Sequence, residues 1–183
     1  MTDLVPRIEF EDLAPELQDM FRARVERLGY LGEFFKCMSH QPKPMAGFAT
    51  ITDVLKTALP DNFTEIVSLS LSSLLGNLYE QFQNERLSRK LGFSDQWIRE
   101  CMTPATGDDS VFDAEEGAVQ DFAIAVAARM GKDVTSEFEA MVTAIGPERA
   151  IAVLWLIGRT VTHALISNSL KLDPPVKSIF EGE

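Results

Sequence analysis

The sequence predicts an all-α protein, a bundle of about seven or eight helices. Apolar residues recur at intervals of three and four along most of the 183 residues, which is the spacing of one buried helix face. A single segment, VSLSLSS at 67–73, alternates like a β-strand, and no second segment offers it a partner. Because an unpaired strand leaves its backbone hydrogen bonds unsatisfied, this segment is also expected to be helical. Gly and Pro mark short connections, which suit a helical bundle.

Three elements are expected in the N-terminal part. Residues 13–28 place apolar side chains at helical intervals between charges, which predicts an amphipathic helix. The stretch FFKCMSHQP (34–42) predicts a short turn or helix that prolines cut off. Residues 45–58 predict a further helix, which Leu59–Asp61 ends.

The central part is predicted to be a helix from about residue 62, followed by a second helix-like run that continues through Leu91 and ends at Gly92. On a helix, the serines of VSLSLSS form a surface of small residues against which another helix can pack closely. Gly76 is expected to kink this segment.

Four further helices are expected. The first begins at Ser94, and the other three span 113–130, 135–145 and 147–171. Ser94 and Asp113 are the expected N-caps of the first two, because their side-chain oxygens accept hydrogen bonds from free backbone N–H groups. PATGDDS (104–110) predicts a loop. Two prolines follow the last helix, and the tail beyond them is expected to be loose.

Length and charge exclude some classes of function. The chain suits one domain, predicted to span 1–183. A net charge of −11 and a pI of about 4.7 argue against nucleic acid or an anionic membrane surface as partner. The most apolar run, AIAVLWLIG, is far shorter than a membrane span. The N-terminus has no signal-peptide pattern, which predicts a cytoplasmic protein.

Cysteine and histidine are scarce. The two cysteines, Cys37 and Cys101, are far apart, and a structural disulfide is not expected in a reducing compartment. With them are only two histidines, His40 and His163, so one chain cannot assemble a Cys/His metal cluster, and no metal is expected.

Polar residues interrupt an apolar stripe in the stretch 74–91. If this stretch is one helix, a single stripe carries six residues: Leu74, Asn77, Glu80, Asn84, Leu87 and Leu91. Leucines at both ends indicate a stripe that is at least partly buried. Two explanations stay open at this point, a satisfied structural network or solvated face and a ligand site. The opposite side, with Tyr79, Arg86 and Lys90, is expected to be wetter.

The segment TEIVSLSLSSLLGNLYEQFQNERLSRKLGFS (64–94) resembles the core of the carboxymuconolactone decarboxylase/alkylhydroperoxidase D superfamily. Members of that superfamily carry a Glu, eleven residues, a Cys, two residues, a second Cys or a Glu, three residues and a His. Glu65 matches the family Glu, and Asn77 stands where the first Cys is expected. Glu80 matches the second position, which is Glu in a Tyr-Glu subset, and Asn84 stands in place of the His.

The resemblance covers about residues 28–171, with the N-terminal arm and the C-terminal tail peripheral. It implies an alkylhydroperoxidase D-like helical bundle and a homo-oligomer, a trimer or hexamer. The departures from the motif bear on the chemistry. A dithiol peroxidase needs a thiolate, which neither Asn77 nor Glu80 provides, and Asn84 cannot titrate as a His would. Classical alkylhydroperoxidase activity is therefore not expected, and both cysteines are interpreted as core thiols.

The residues that remain suggest proton transfer without a cofactor. Glu65 and Glu80 are the expected acid and base, since like charges in one semi-enclosed site raise one carboxyl pKa. Asn77 and Asn84 would hold an enolate or carboxylate oxygen of the substrate.

Tyr79 and His163 are secondary candidates for substrate binding, and a lone His on an apolar helix is more often a core residue. By analogy with the lactone decarboxylase branch, the reaction is expected to be decarboxylation or isomerisation of a small lactone or oxo acid. Two alternatives remain, an inactive member that binds a small ligand or partner, and a noncanonical alkylhydroperoxidase or peroxiredoxin-type antioxidant protein.

Overall fold

The computed structural model describes residues 4–105 and 109–181. Within these ranges the chain forms nine α-helices, one short 3-10 helix and no β-strand. The all-α prediction is confirmed, and eight of the nine helices have seven or more residues. By its internal contacts the chain divides into two compact units, Met1–Asp53 and Val54–Glu183. Part of the predicted loop at 104–110, residues 106–108, lies outside the described residues.

The first unit is built on aromatic packing. It contains the 3-10 helix Phe10–Asp12, α1 (Pro15–Leu28), α2 (Glu33–Met38) and the beginning of α3 (Pro42–Ala58). The Phe21 and Phe35 rings meet edge to face, with centroids 4.9 Å apart. The segment predicted as a short turn or helix is α2, and α3 begins at Pro42 rather than at residue 45, because proline fits the first turn of a helix.

The second unit contains the remaining helices. They are α4 (Asp61–Leu74), α5 (Leu78–Leu91), α6 (Asp95–Met102), α7 (Ala114–Arg129), α8 (Thr135–Ile145) and α9 (Pro147–Leu170). The helix α4 is central: it contacts α5, α6, α7 and α9, and the residues from Phe63 to Ser72 are all buried.

The serines of α4 explain its strand-like alternation. Ser70 Oγ donates to the carbonyl oxygen of Cys101 at 2.8 Å, and Ser73 Oγ donates to that of Met102 at 3.1 Å. Because both carbonyls lie at the end of α6, the small polar face of α4 binds a helix terminus whose C=O groups have no partner within the helix.

The predicted caps are present. The Ser94 side chain accepts from the backbone N–H of Trp97, and Asp113 forms a reciprocal capping box with Glu116. These contacts fix where α6 and α7 begin.

The prediction of one helix across 74–91 is wrong. The helix α4 ends at Leu74, Gly76 has a φ of 62°, and α5 starts again at Leu78 with Asn77 as its N-cap. Glycine adopts this left-handed conformation at no steric cost, so the chain turns here instead of kinking. The apolar stripe inferred from a continuous helix therefore does not exist: Leu74 and Leu91 are 47% and 42% exposed.

Contacts hold the tail up to residue 180, so the prediction of a loose tail is wrong for this segment. The buried Glu85 carboxylate accepts a hydrogen bond from Ser178 Oγ at 2.6 Å and one from the backbone N–H of Ile179 at 3.0 Å. The Phe180 ring lies under the guanidinium of Arg99, 3.8 Å from the ring centroid. The tail is thus fixed to α5 and α6.

Within the described ranges, α9 is the one helix that is long and apolar enough, by length and composition alone, to cross a membrane. Of its most apolar 18-residue window, 44% is buried inside the protein. The inward side of α9 thus belongs to the core of the second unit, as in the core helix of a globular protein.

Candidate functional site

A buried charged cluster joins the first turn of α5 to the middle of α9. The Glu80 carboxylate binds the Arg159 guanidinium through Oε1, and its Oε2 lies 3.1 Å from His163 Nδ1. Each of the three side chains is about nine-tenths buried. Because a buried charge is costly unless it is paired and hydrogen-bonded, both partners of Glu80 are needed to keep its carboxylate ionised.

Asn77 completes this cluster. Its side-chain oxygen caps α5 by accepting from the Glu80 backbone N–H, at 3.4 Å. Its amide nitrogen lies 3.4 Å from Glu80 Oε2 and 3.2 Å from His163 Nδ1. The residue is fully buried. The cap therefore fixes Asn77 where its amide meets the other polar groups.

The contacts of His163 Nδ1 determine its tautomer. A lone pair on Nδ1 would face the Glu80 carboxylate at 3.1 Å, which is repulsive. With a proton on Nδ1, the ring donates to Glu80, and Ser167 Oγ at 3.3 Å accepts part of the same hydrogen bond. The Asn77 amide then donates to the carboxylate.

The two candidate carboxyl groups have pKa values shifted in opposite directions. Burial alone would raise the pKa of Glu80, but Arg159 and His163 lower it to about 2. Burial raises the pKa of Glu65 to about 7, although a hydrogen bond from Ser88 Oγ at 2.9 Å and the charge of Lys56 oppose the shift. The negative charge of Glu80 is a smaller contribution to the raised pKa.

The charge of Glu80 therefore acts on Glu65, although the two carboxyl groups are not hydrogen-bonded to each other. No hydrogen bond between them occurs in the described part of the chain, because Ser88 binds one and Arg159 and His163 bind the other. Near pH 7 the Glu65 carboxyl is protonated in about half of the molecules, while Glu80 is ionised. The main cause is burial and pairing, with mutual repulsion a lesser one.

A surface pocket of about 380 Å³ lies next to the cluster, between the start of α5 and the end of α9. Nine residues line it: Gly76, Leu78, Tyr79, Ser167, Asn168, Lys171, Leu172, Asp173 and Pro174. Two of these also contact His163. Ser167 lies beside its Nδ1, and the Tyr79 ring lies 5.9 Å from its ring at 34°.

The sequence suggested that Tyr79 lies on a water-exposed face, and the structure shows that this is wrong. It is 3% exposed, because the first turn of α5 is buried on more than one side. Asn84 is half-buried one turn further along α5, and no hydrogen bond among the described residues ties its side chain to the cluster. The fully buried polar residue of that turn is its neighbour Glu85, which binds the tail.

Sequence reasoning missed Arg159, Ser88 and Ser167. One signal was present: Arg159, His163 and Ser167 recur every four residues on an otherwise apolar helix. Side chains at this spacing lie on one helix face, so a polar line along a buried face predicts partners across the core.

Both thiols are buried. Cys101 is fully buried, and burial together with the nearby carboxylates raises its pKa, which disfavours the reactive thiolate. Cys37 is buried in the first unit. In the described ranges, no group of three or more His, Cys, Asp and Glu side chains is arranged to hold a metal ion.

No protein-family model and no curated protein matches the sequence. Solved structures do match. The debrominase Bmp8 superposes with a TM-score of 0.81 at 18% identity, over 96% of this chain and 94% of its own. A cysteine-to-alanine variant of that protein has been crystallised with 2,3,4-tribromopyrrole.

Two peroxidase-related proteins of uncharacterised function are also similar. One, with an alkylhydroperoxidase AhpD core, is from Ralstonia eutropha JMP134; it has a TM-score of 0.80 at 16% identity, over 92% of this chain and 90% of its own. The other is from Silicibacter sp. TM1040, with a TM-score of 0.78 at 15% identity, over 100% of this chain and 96% of its own. Likeness at such identities establishes the fold, and this chain has the alkylhydroperoxidase D-like helical fold that its sequence predicts.

Proposed function

We propose that the chain is a divergent member of the carboxymuconolactone decarboxylase/alkylhydroperoxidase D superfamily that transfers protons to and from a small molecule without a cofactor. The observation that carries the proposal is the buried contact of the Glu80 carboxylate with His163 Nδ1, 3.1 Å long and supported by Arg159. A carboxylate that accepts a hydrogen bond from an imidazole fixes the orientation of the ring, and we assign His163 as the general base.

The two glutamates take different roles in this proposal. Glu80, with a pKa of about 2, stays ionised and orients His163, so it positions the base and does not titrate itself. Glu65, with a pKa near 7, is protonated in part of the molecules at neutral pH and is the proton donor of the pair. The sequence suggested Glu65 and Glu80 as the acid and the base; in this proposal the base is His163, and Glu80 positions it.

The neighbouring pocket supports a small-molecule substrate. A volume of about 380 Å³ suits a small molecule, and Leu78, Tyr79 and Leu172 give it an apolar side. The tribromopyrrole bound by the Bmp8 variant is also a small cyclic molecule. An unsaturated lactone or oxo acid of similar size would present an acidic C–H to the base. The reaction class is therefore isomerisation or decarboxylation through an enolate, which the Asn77 amide would stabilise.

NMR of the histidines tests the proposed base without a substrate. The two histidines should show opposite tautomers, which ¹⁵N spectra distinguish. His40 Nε2 lies 2.8 Å from the Pro6 carbonyl oxygen and should carry its proton there. His163 should carry its proton on Nδ1, against Glu80. An unprotonated Nδ1 on His163 would remove the basis of the mechanism.

Turnover is tested by hydrogen exchange. A panel of small oxo acids and unsaturated lactones is incubated in D₂O, and proton NMR follows deuterium uptake next to the carbonyl and loss of carboxylate. We expect turnover of at least one compound, lowered about 100-fold or more in His163→Gln, as for loss of a general base. His40→Gln is the matched control and should retain activity.

Two further results would distinguish the alternatives. Ligand-induced shifts in the Tyr79 ring signals with no exchange in any compound would indicate a binding protein and would sink the enzymatic proposal. Peroxide turnover with a dithiol reductant, abolished in Cys37→Ser or Cys101→Ser, would instead indicate a noncanonical peroxidase. The buried state of both thiols argues against that result.

A further inference from the structure

One buried hydroxyl group in the core of the second unit has no hydrogen-bond partner. Thr160, in α9, is fully buried, and its Oγ1 atom makes no hydrogen bond to the described residues. Threonines within helices commonly donate to a carbonyl oxygen one turn back, as Thr162 does to Gly158 at 2.9 Å, but Thr160 does not. Because a buried hydroxyl without a partner is costly, this group is expected to bind a polar molecule that the chain itself does not supply.

The helix α9, which carries this hydroxyl, runs parallel to α4. As the chain advances along α5, its contacts step backwards along α9: Asn77 meets His163, and Glu80 reaches Arg159. The helix α5 is therefore antiparallel to α9. It is also antiparallel to α4, since a turn of three residues joins α4 to α5 and the two helices pack on each other. It follows that α4 and α9 point the same way.

The contact between the ends of these parallel helices sets their register. Asn168 Nδ2 donates to the Leu75 carbonyl oxygen at 2.8 Å. About two turns, or seven to eight residues, back from this contact lie Ser68 on α4 and Thr160 on α9. Thr160 belongs to the buried side of α9, and α9 packs on α4. The register thus places Thr160 opposite Ser68.

Two further oxygen atoms near Thr160 have unused hydrogen-bonding capacity. Ser68 is buried, with 8% exposure, and its Oγ makes no hydrogen bond to the described residues. Glu65 lies on the neighbouring turn of α4 and accepts from Ser88 through Oε2, whereas its Oε1 has no such bond in the described part of the chain. Three oxygen atoms of two facing helices are thus grouped within about one turn, or about 5 Å along the helix axes.

We infer that a buried water molecule binds between α4 and α9, held by Thr160 Oγ1, Ser68 Oγ and Glu65 Oε1. Buried waters typically make about three hydrogen bonds to polar groups that have no other partner, and these atoms provide that number. Water also joins polar groups of facing elements that lie too far apart for a direct hydrogen bond. Each hydroxyl can donate or accept, so one water can satisfy all three atoms.

The water supports Glu65 in its role as the proton donor. This role rests on the proposed function, whereas the binding of the water does not. Glu65 is 3% exposed, so bulk solvent does not hydrate its carboxyl when the proton is lost or regained. The bound water accepts a hydrogen bond from the protonated carboxyl and donates one to the carboxylate, so Oε1 keeps a partner in both states. Thr160 and Ser68 are positioning residues in this arrangement, because they hold the water.

A high-resolution crystal structure of the full chain tests the site directly. It should show density for a water within hydrogen-bonding distance of Thr160 Oγ1, Ser68 Oγ and Glu65 Oε1. The Thr160→Val structure should lack this water, since the methyl group that replaces the hydroxyl cannot hold it.

Thermal unfolding of Thr160→Val tests the site through the sign of its effect. If the hydroxyl binds the water, the substitution removes hydrogen bonds and should lower the Tm by about 2–6 °C. If the hydroxyl has no partner, the same substitution should raise the Tm, because a methyl group is buried at less cost. Thr162→Val is the matched control, the same change two residues along α9 at an exposed position, and should shift the Tm by less than about 2 °C.

A ¹³C NMR titration of the Glu65 carboxyl tests the supporting role. In Thr160→Val the carboxylate loses the water as a donor, so the pKa of Glu65 should be higher than in the wild type. Thr160→Ser keeps the hydroxyl and should restore the wild-type titration, which a role in packing alone would not do. The other groups that act on this pKa are the same in all three proteins: Ser88, Lys56, Glu80 and Asp61.

Three results would overturn the inference. A crystal structure without density beside Thr160 Oγ1 would exclude the water, and a higher Tm in Thr160→Val would exclude it too. An unchanged Glu65 titration in Thr160→Val would show that the water does not contact the carboxyl. Lack of turnover with every oxo acid and lactone would instead contradict the proposed function alone, since none of these three measurements uses a substrate.

Discussion

Glu65 and Glu80 are both buried, yet their protonation affects stability in different pH ranges. The pKa of Glu80 is lowered to about 2, so its contribution to stability is present above the ordinary value of 4.5 and is lost as the pH falls towards 2. The pKa of Glu65 is raised to about 7, so the folded state keeps a proton that the unfolded chain releases above 4.5. Raising the pH from 4.5 to 7 thus lowers the free energy of unfolding through Glu65.

Glu65→Gln should remove this pH dependence, because the amide stays neutral and can still accept from Ser88. Near pH 4 the variant and the wild type should have similar stability. Near pH 8 the variant should be the more stable, by up to about 3 kcal/mol for a shift of this size. Urea unfolding at both pH values measures the difference. Glu139→Gln, at an exposed carboxylate, is the control. Parallel stability curves for wild type and Glu65→Gln would contradict the assigned pKa.

At the scale of elements, the turn between α4 and α5 positions the candidate site. Gly76, with a φ of 62°, lets the chain reverse within three residues, and Asn77 can then cap α5 and reach His163. Gly76→Ala should cost about 1–2 kcal/mol through the left-handed backbone alone, since no atom lies within 4 Å of the added Cβ. Thermal unfolding measures this cost.

Gly117→Ala is a matched substitution for that test. Gly117 lies inside α7 and also has no atom within 4 Å of an added Cβ, but its φ is not left-handed. Alanine there should stabilise the protein by about 0.5–1 kcal/mol. If both substitutions had the same sign, the turn would not depend on the conformation of Gly76.

Helix boundaries were predictable because each depends on neighbouring residues. The range of α8 matches 135–145, and Ser94 and Asp113 cap α6 and α7 as expected. The turn at Gly76 was not predicted, because a glycine within an apolar helical pattern is compatible with a kink, a cap or neither. The assumption of one continuous helix placed Leu74 on the stripe of α5, and Tyr79 was assigned to a wet face although the first turn of α5 is buried on more than one side.

At the scale of the whole molecule, the contacts that define the site join distant parts of the chain. Arg159 and Glu80 are 79 residues apart, and Ser178 and Glu85 are 93 apart. Helical periodicity says which residues of one helix share a face, but it gives no distance between two helices. Positions 65, 77 and 80 could be selected through the family resemblance, and His163 as a lone histidine, whereas the partners Arg159 and Ser88 required the structure.

The tail provides a test of these long-range contacts. Lys177, with an exposed side chain, precedes the residues that Glu85 binds, and its carbonyl oxygen accepts from Arg86 Nε at 3.0 Å. Trypsin can cleave after Lys177 only when this segment detaches. In Glu85→Gln a neutral amide oxygen accepts from Ser178 Oγ and Ile179 N more weakly than the carboxylate does, so detachment should become on the order of tenfold more frequent.

Intact-mass spectrometry during brief digestion measures this rate as loss of residues 178–183. Glu181→Gln is the control, since Glu181 pairs only with Lys177 at an exposed position among the described contacts, and its substitution should leave cleavage slow. Fast cleavage in the wild type would contradict the anchoring of the tail. Equal rates in Glu85→Gln and wild type would show that the Arg99–Phe180 contact, and not Glu85, holds the segment. Because the wall of the pocket continues towards this tail, a detached segment would also loosen the pocket.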